Sequence, residues 1–539
     1  MIQCDGLTVG EVFAAAVTKY SENALLVMPS DAGRPYHAGG FAMTYGDCAA
    51  VVADYTSTLQ AAGYGHGHRI ACLLANRPEM LLFKLAANAL GISWTPVNPD
   101  YRAAEIGFLL KDSGAEFLLA GPELAALAEA GIAASGRDLA LVTLSASGFV
   151  APEAPTPPPL LGPPTPASEA SLLYTSGTTG RPKGCMLSHA YELEVGAWYA
   201  TVGGRMTLGE GVERVYNPLP LFHVNAGIVL FFGMLLTGNC QIATERFSRQ
   251  KWWAEIRETQ ATGVHYLGIV IPALMKADPG PDDRAHTVRW GAGAGVEPSL
   301  HGAFEARFGF PLIELWGMTE MCRIFADAEE PRSIDTRAFG RPRPGLEARV
   351  VDRDDRPVPA GEPGELLVRH SAATPRRGAF SGYLNLPEAT EAAWQGGWLH
   401  TGDTVIQDAS GLLIFVDRKK NIIRRSGENI AAAEVEACLQ PLDAVEQVAV
   451  LAVEDALRDE EVMACIVPRR AAPSAALARR LFDHCFAELA YFKAPGWIVF
   501  VDALPVTGTQ KVQKHMIFKD GEDPRALANA FDMRSLKQR

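Results

Sequence analysis

Thr175-Ser176-Gly177-Thr178-Thr179-Gly180-Arg181-Pro182-Lys183-Gly184 follows directly on the strand-like run Ser171-Leu172-Leu173-Tyr174. Glycines permit positive φ and let backbone N–H groups approach phosphate oxygens, the hydroxyls add donors, and Lys183 adds charge. The stretch therefore reads as a polyphosphate cradle at the end of a strand, the bland alternative being a flexible Thr/Gly surface hairpin. It is not a Walker A loop, because Lys183 lies between Pro182 and Gly184, where that loop needs Lys followed by Ser or Thr. Nor does it have the Gly-x-Gly-x-x-Gly spacing of a dinucleotide turn.

Outward from this loop, short aliphatic runs at 69–74 and 117–120 alternate with Ala-rich, helix-period segments such as 80–90. That rhythm predicts an α/β fold of βαβ units, with parallel sheets covered by helices. Residues 151–166 hold eight prolines, too many missing N–H groups for a helix or central strand, and read as an extended surface connector. A charged cluster at 416–421 marks the better domain boundary, giving a large N-terminal domain over 1–416 and a small α+β domain over 417–539. In the second, helices are predicted over 432–439 and 474–490, and strands over 445–453, 462–467 and 497–501. Residues 520–539 read as a polar helix or a loose tail.

The chain has 539 residues, 48% hydrophobic and 21% charged, which suits a multidomain globular enzyme. A net charge of -13 argues against nucleic acid or an anionic membrane as the main partner. Nine cysteines without a Cys-x-x-Cys pair argue against a disulfide framework or zinc knuckle and favour a reducing, cytoplasmic setting. The N-terminal residues carry no signal-peptide pattern. The longest apolar run, 228–236, is about half of the roughly 20 residues a bilayer needs and reads as a buried core element, so no integral membrane segment is expected.

Further motifs follow in order: Pro218-Leu219-Pro220-Leu221-Phe222-His223-Val224-Asn225, Gly291-Ala292-Gly293-Ala294-Gly295, Glu314-Leu315-Trp316-Gly317-Met318-Thr319-Glu320, Thr401-Gly402-Asp403, Asp417-Arg418 and Thr507-Gly508-Thr509-Gln510-Lys511. Singly, each has an ordinary reading, as a core histidine, a glycine turn, a strand end or a solvated lysine. Together with the loop at 175–184 they resemble the adenylate-forming superfamily of acyl-CoA synthetases, peptide-synthetase adenylation domains and luciferases, over about residues 25–518.

The resemblance implies an ATP-dependent carboxylate–CoA ligase with ATP, Mg2+ and coenzyme A as cofactor and co-substrates, and a mobile C-terminal domain. It places ATP on Thr175, Ser176, Gly177, Thr178, Thr179, Gly180 and Lys183, with Gly293, Ala294, Trp316, Gly317, Met318 and Thr319 around adenine and phosphate. Asp403 and Arg418 would take the ribose, Glu320 the Mg2+, and Lys511 the decisive charge. The family's usual Gly before that lysine is Gln510 here, a departure that bears on the loop conformation. His223, Val224, Gly291 and Met318 would line the acyl pocket. Arg323 could meet a polar or acidic substrate tail, the competing reading being a salt-bridged arginine. Lys420 would be the hinge, and Arg424, Ser426, Gly427 and Glu428 the CoA-side face. The motifs at 222–226, 427–430 and 510–514 are most similar to the crotonobetaine/carnitine–CoA ligase branch.

Three other functions share parts of this set: an adenylation enzyme loading a separate carrier protein, a luciferase-like oxygenase, and a non-catalytic nucleotide-binding regulator. Retention of Glu320, Asp403, Arg418 and Lys511 together favours catalysis. The sequence identifies neither the acid nor the oligomeric state, and a homodimer is compatible with it.

Overall fold

Aliphatic runs of four or five residues bounded by turns are buried on both faces when they lie inside a parallel sheet. Arg69–Leu73, Ser93–Pro96 and Phe117–Ala120 do this in the computed structural model, and Ala140–Thr143 adds a largely exposed edge strand; the four pair in parallel while helices Glu79–Ala89, Ala103–Ser113 and Ala125–Ser135 return the chain between them. The structure describes residues 1–175, 182–268, 270–418, 421–425, 428–455, 458–489, 491–506, 512–519 and 521–537, without the side chains at 322, 418, 424, 428, 429 and 459. Contacts divide the chain into two units, one of 1–348 with 368–399 and one of 349–367 with 400–539.

The first unit holds two sheets. The seven-stranded sheet extends the four strands above through Glu169–Thr175, Lys183–Ser188 and Gly382–Tyr383. Glu169–Thr175 enters parallel to Ser93–Pro96, then turns into an antiparallel hairpin with Lys183–Ser188, whose last pair is Thr175 opposite Lys183. The eight-stranded sheet carries Arg214–Asn217, Gly263–Leu267, Trp290–Ala294 and Leu312–Met318 in parallel. Antiparallel pairing is confined to the ends of these two sheets, as where Met321–Ala326 folds back on Leu312–Met318.

The connector at 151–166 contains no helix or strand, and its Leu161 is 98% exposed. The apolar run at 228–236 is a buried core element, a π-helix Asn225–Leu230 continuing into the α-helix Phe231–Thr237. No helix among the described residues is long and apolar enough to cross a membrane.

In the second unit, Trp398–Gln407 and Leu413–Arg418 pair antiparallel, as do Ile422–Arg425 and Glu428–Ala431. Helix Ala432–Leu439 matches its predicted span, and helix Ala475–Glu488 starts after Ser474, whose side chain caps it. Ile423, Ile430, Val435, Val450, Ile466, Leu481 and Ile498 close one core. The described residues 521–537 are neither a polar helix nor a loose tail. Ala530–Asp532 adds a strand to Trp497–Phe500, Met533 is 7% exposed, and the Lys537 ammonium is buried, 2.6 Å from Glu461 and 3.0 Å from the Phe492 carbonyl. The apolar spacing of Phe531, Met533 and Leu536 seats this segment on the core, and Glu461 satisfies its one buried cation.

A second buried charge lies under the hairpin that frames 176–181. Lys84 donates to Ser171 (2.6 Å) and to Glu192 (2.7 Å), with both ionic side chains fully buried, and Ser171 donates to the same carboxylate oxygen at 2.5 Å. This ties helix Glu79–Ala89 and helix His189–Ala200 to the strand entering the loop. Removing one member of such a pair strands the other. Lys84→Met is expected to cost about 3–5 kcal/mol in urea unfolding, and adding Glu192→Leu to recover most of it. A single-variant loss below about 1 kcal/mol would contradict this role.

Candidate active site

Leu312–Met318 ends at the carboxyl edge of the eight-stranded sheet, where parallel sheets hold ligands, and the chain reverses through Thr319 and Glu320. Three bonds fix that reversal: Tyr191 OH donates to the Thr319 carbonyl (2.7 Å), Phe380 N–H to the Glu320 carbonyl (2.9 Å), and Tyr383 OH to Glu320 Oε1 (2.8 Å). Tyr383 lies on the short strand Gly382–Tyr383, opposite Cys185 of the hairpin. The Lys183 ammonium sits over its ring, 4.8 Å from the centroid. One phenol thus holds a carboxylate and an ammonium from two sheets. Burial and then the neighbouring Glu320 push the Tyr383 hydroxyl and the Cys185 thiol well up, so both stay protonated. Tyr383 and Tyr191 were missed in the sequence because their partners are distant in the chain.

Trp316 is buried, stacked on Phe339 (6.0 Å between centroids, 29° between planes) and edge-on to Phe325. Gly317 beside it is exposed, and Met318 and Thr319 are half-buried. On the next strand, a Cβ at Gly293 would lie 2.2 Å from the Tyr266 carbonyl oxygen, so only glycine fits there; Ala294 is exposed at the strand end.

Gly291 and Arg323 have these surroundings. A Cβ at Gly291 would point at Leu312, Phe310 and Val264, so its open side faces the apolar core, because strand alternation puts it on that face. Arg323 is 6% exposed, its guanidinium paired with Glu194 and donating to the Gly345 carbonyl at 2.9 Å, so its charge is already matched. His223 and Val224 are half-buried at the entry to the π-helix, with the His223 ring 5.1 Å from that of Phe222.

Glu314 opens the same motif as Trp316 and Glu320. It is fully buried and accepts from Gly295 N–H (2.8 Å), Val296 N–H (3.2 Å) and Tyr266 OH (2.9 Å), which anchors the glycine loop after Ala294. Burial nevertheless outweighs these donors and pushes its carboxyl up to about 7.

In the second unit, Asp403 is buried and faces Arg418 across the Trp398–Gln407/Leu413–Arg418 pair. Its turn is built by Gly402 at φ +68°, Gly402 N–H donating to Glu365 (3.1 Å), and Thr401 OH donating to the Leu366 carbonyl (2.7 Å). Asp417 accepts from Asn421 (3.1 Å) and from Ala433 N–H (2.9 Å), so it caps helix Ala432–Leu439. The backbones of Arg424 and Glu428 lie in one hairpin, beside an Arg425–Glu461 ion pair at 2.8 Å. Ser176, Gly177, Thr178, Thr179, Gly180, Lys420, Ser426, Gly427 and Lys511 lie outside the described residues, as do the side chains of Arg418, Arg424 and Glu428.

Glu314 makes stability pH-dependent. A carboxyl raised from 4.5 to about 7 on folding binds more protons in the native state between those values, so its contribution is complete below pH 4.5 and is lost as pH rises through 7. The full swing is about 3 kcal/mol. Glu314→Gln is expected to flatten the fall in urea midpoint between pH 5 and 7.5; an identical fall in the variant would contradict the assignment.

The AMP-binding enzyme family model matches residues 13–384, and that of the AMP-binding enzyme C-terminal domain matches 434–511. A sulfoacetate–CoA ligase of Cupriavidus necator is 30% identical over 94% of this chain and 96% of its own. A crotonobetaine/carnitine–CoA ligase of Salmonella arizonae is 28% identical over 92% and 96%. Among solved structures, the AMP complex of O-succinylbenzoate coenzyme A synthetase from Bacillus subtilis superposes with a TM-score of 0.78 at 24% identity, covering 94% of this chain and 98% of that one. A benzoate CoA ligase from Burkholderia xenovorans gives 0.78 at 23%, covering 94% and 99%. Both share the fold. The chain belongs to the AMP-binding enzyme family and is an AMP-forming carboxylate–CoA ligase.

Proposed function

We propose that acid and ATP meet beside Lys183, Thr319 and Glu320, and that residues 417–539 form the part that moves between two half-reactions. The observation that carries this reading is the Tyr383 side chain, which holds the Glu320 carboxylate by its hydroxyl and the Lys183 ammonium on its ring, next to the glycine-rich loop.

In the first half-reaction a carboxylate oxygen attacks the α-phosphorus of ATP. The new O–P bond forms as the bond to the bridging oxygen breaks, and pyrophosphate leaves. Two anions approach, so the rate depends on charge fixed beforehand where negative charge builds. Lys183 and the donors of 175–180 hold the departing pyrophosphate, the Thr319 hydroxyl contacts phosphate, and Lys511 meets the α-phosphate. Glu320 suits Mg2+: a hard carboxylate with lone pairs beyond its Tyr383 bond, buried at 8% exposure. Glu320 would hold Mg2+, which would supply charge to offset that of the triphosphate. Gly293, Ala294, Trp316, Gly317 and Met318 flank adenine, and Asp403 with Arg418 takes the ribose hydroxyls. His223, Val224 and Met318 face the acyl end.

In the second half-reaction the CoA thiol attacks the activated carbonyl. The S–C bond forms, the C–O bond to AMP breaks, and the thiol proton passes to solvent. Lys420 serves as hinge, withdrawing Lys511 and presenting Arg424, Ser426, Gly427 and Glu428 to CoA. The Arg425–Glu461–Lys537 network supports this reading, because it stiffens the hairpin carrying that face. A cytoplasmic setting fits the eight cysteines that are free thiols among the described side chains. A homodimer is compatible with the reaction, which needs no second copy.

Lys511→Ala is expected to abolish acyl-adenylate formation while largely sparing thioester formation from supplied acyl-adenylate, followed by quenched single-turnover assays. Equal loss of both steps overturns the two-state assignment. Tyr383→Phe keeps the ring under Lys183 and removes only the hydroxyl. We expect it to raise the Mg2+ concentration for half-maximal activity several-fold with little change in Tm. An unchanged Mg2+ dependence would count against the clamp.

A further inference from the structure

A chain of buried polar side chains runs between the π-helix and the eight-stranded sheet, and the adenylation chemistry uses none of it. Its hydrogen-bond directions follow from one backbone group. Leu219 N–H donates to Asn217 Oδ1 (3.0 Å), so the other end of the Asn217 amide is its NH2 group. That group donates to Asn225 Oδ1 (3.0 Å), which fixes the orientation of the second amide. His265 Nδ1, 3.1 Å from the same oxygen, must then carry a proton, leaving Nε2 to accept from Tyr199 OH at 2.8 Å. A fully buried neutral His265 agrees with this, its pKa pushed down to about 3 by burial.

With Oδ1 taken by two donors, the Asn225 NH2 group is turned away from the network. Asn225 is half-buried, and among the described residues that nitrogen has no hydrogen-bond partner. His265 is in register with Ala292, so both lie on one face of the sheet, and two residues further along the same face Leu267 is in register with the exposed Ala294. The Asn225 side of the sheet therefore opens at the strand ends beside Ala294, about 7 Å from the level of His265. His223 stands two residues before Asn225 at the head of the π-helix, a helix type that recurs at functional sites.

We infer that Asn225 is a specificity-determining residue, whose NH2 group donates to an oxygen acceptor on a short acid, so that the acyl site selects acids bearing a carbonyl, carboxylate or sulfonate oxygen beyond the reacting carboxylate. The inference rests on the acid-activating reading above and names the class of acid for it. The network supplies a neutral donor, and Arg323, bound to Glu194, is not the group that recognises the tail. An aliphatic acid of the same length would leave the amide without a partner, and sites built to hydrogen-bond a substrate group reject analogues that lack it.

The test compares kcat/KM for pyrophosphate release with pentanoate, 4-oxopentanoate, succinate and 4-aminobutanoate, with ATP, Mg2+ and CoA present. The wild-type protein should prefer 4-oxopentanoate or succinate to pentanoate. Asn225→Leu should lower that ratio by about tenfold or more. Asn225→Asp keeps one oxygen for Asn217 and His265 but aims an acceptor at the acid, so it should reject both acceptor acids and improve 4-aminobutanoate relative to them. A loss shared equally by all four acids, or a wild-type preference for pentanoate, overturns the inference. Absence of pyrophosphate release with any carboxylic acid overturns the acid-activating reading itself, whatever happens at Asn225.

Discussion

The bond from the Tyr383 hydroxyl to Glu320, with Lys183 over the same ring, is the constraint on which the site depends. Glu320 comes from the turn of the eight-stranded sheet and Lys183 from the hairpin of the seven-stranded sheet. A carboxylate and an ammonium brought together in a half-buried place would ordinarily satisfy each other and be lost to a ligand. Here a neutral phenol holds both, giving the carboxylate one donor and the ammonium a quadrupole. Each charge keeps capacity for a polyanion.

Each unit uses buried charge for rigidity. Lys84, Ser171 and Glu192 tie two helices to the strand that enters the glycine-rich loop. Arg425, Glu461 and Lys537 tie the Ile422–Arg425 hairpin to the chain's last turn. Hydrophobic residues of the same volume would often stabilise a fold as well. What the ionic groups add is direction, since each satisfied lone pair fixes where a neighbouring backbone lies. Loops that must meet phosphate or thiol with backbone N–H groups gain most from such fixed supports.

Much of the fold was legible in the sequence because its signals are local. The strands near Arg69 and Phe117, helix Ala432–Leu439, the Pro-rich connector and the buried run at 228–236 are set by neighbours a few residues away. The Thr319–Glu320 turn and Asp403 stand out as candidates through motif order, which pairs short strings that are weak alone. What escaped was set at long range. Tyr383 acts on a residue 63 positions earlier, and Glu314 on loop groups 18 and 19 positions away. The Gly291 motif showed small residues, but not which face of the strand they would occupy, since alternation has a period and no phase until the sheet is built. The final segment was misread because its apolar residues are few, and the glutamate that receives Lys537 is 76 positions away.

The central claim is that this site makes an acyl-adenylate from a free acid and ATP before any thiol is involved. Exchange of radiolabelled pyrophosphate into ATP, followed on the purified protein without CoA, tests it most directly. The account predicts exchange that requires both a carboxylic acid and Mg2+ and is unaffected by leaving CoA out. Exchange that proceeds without acid, or that appears only when CoA is present, would contradict it.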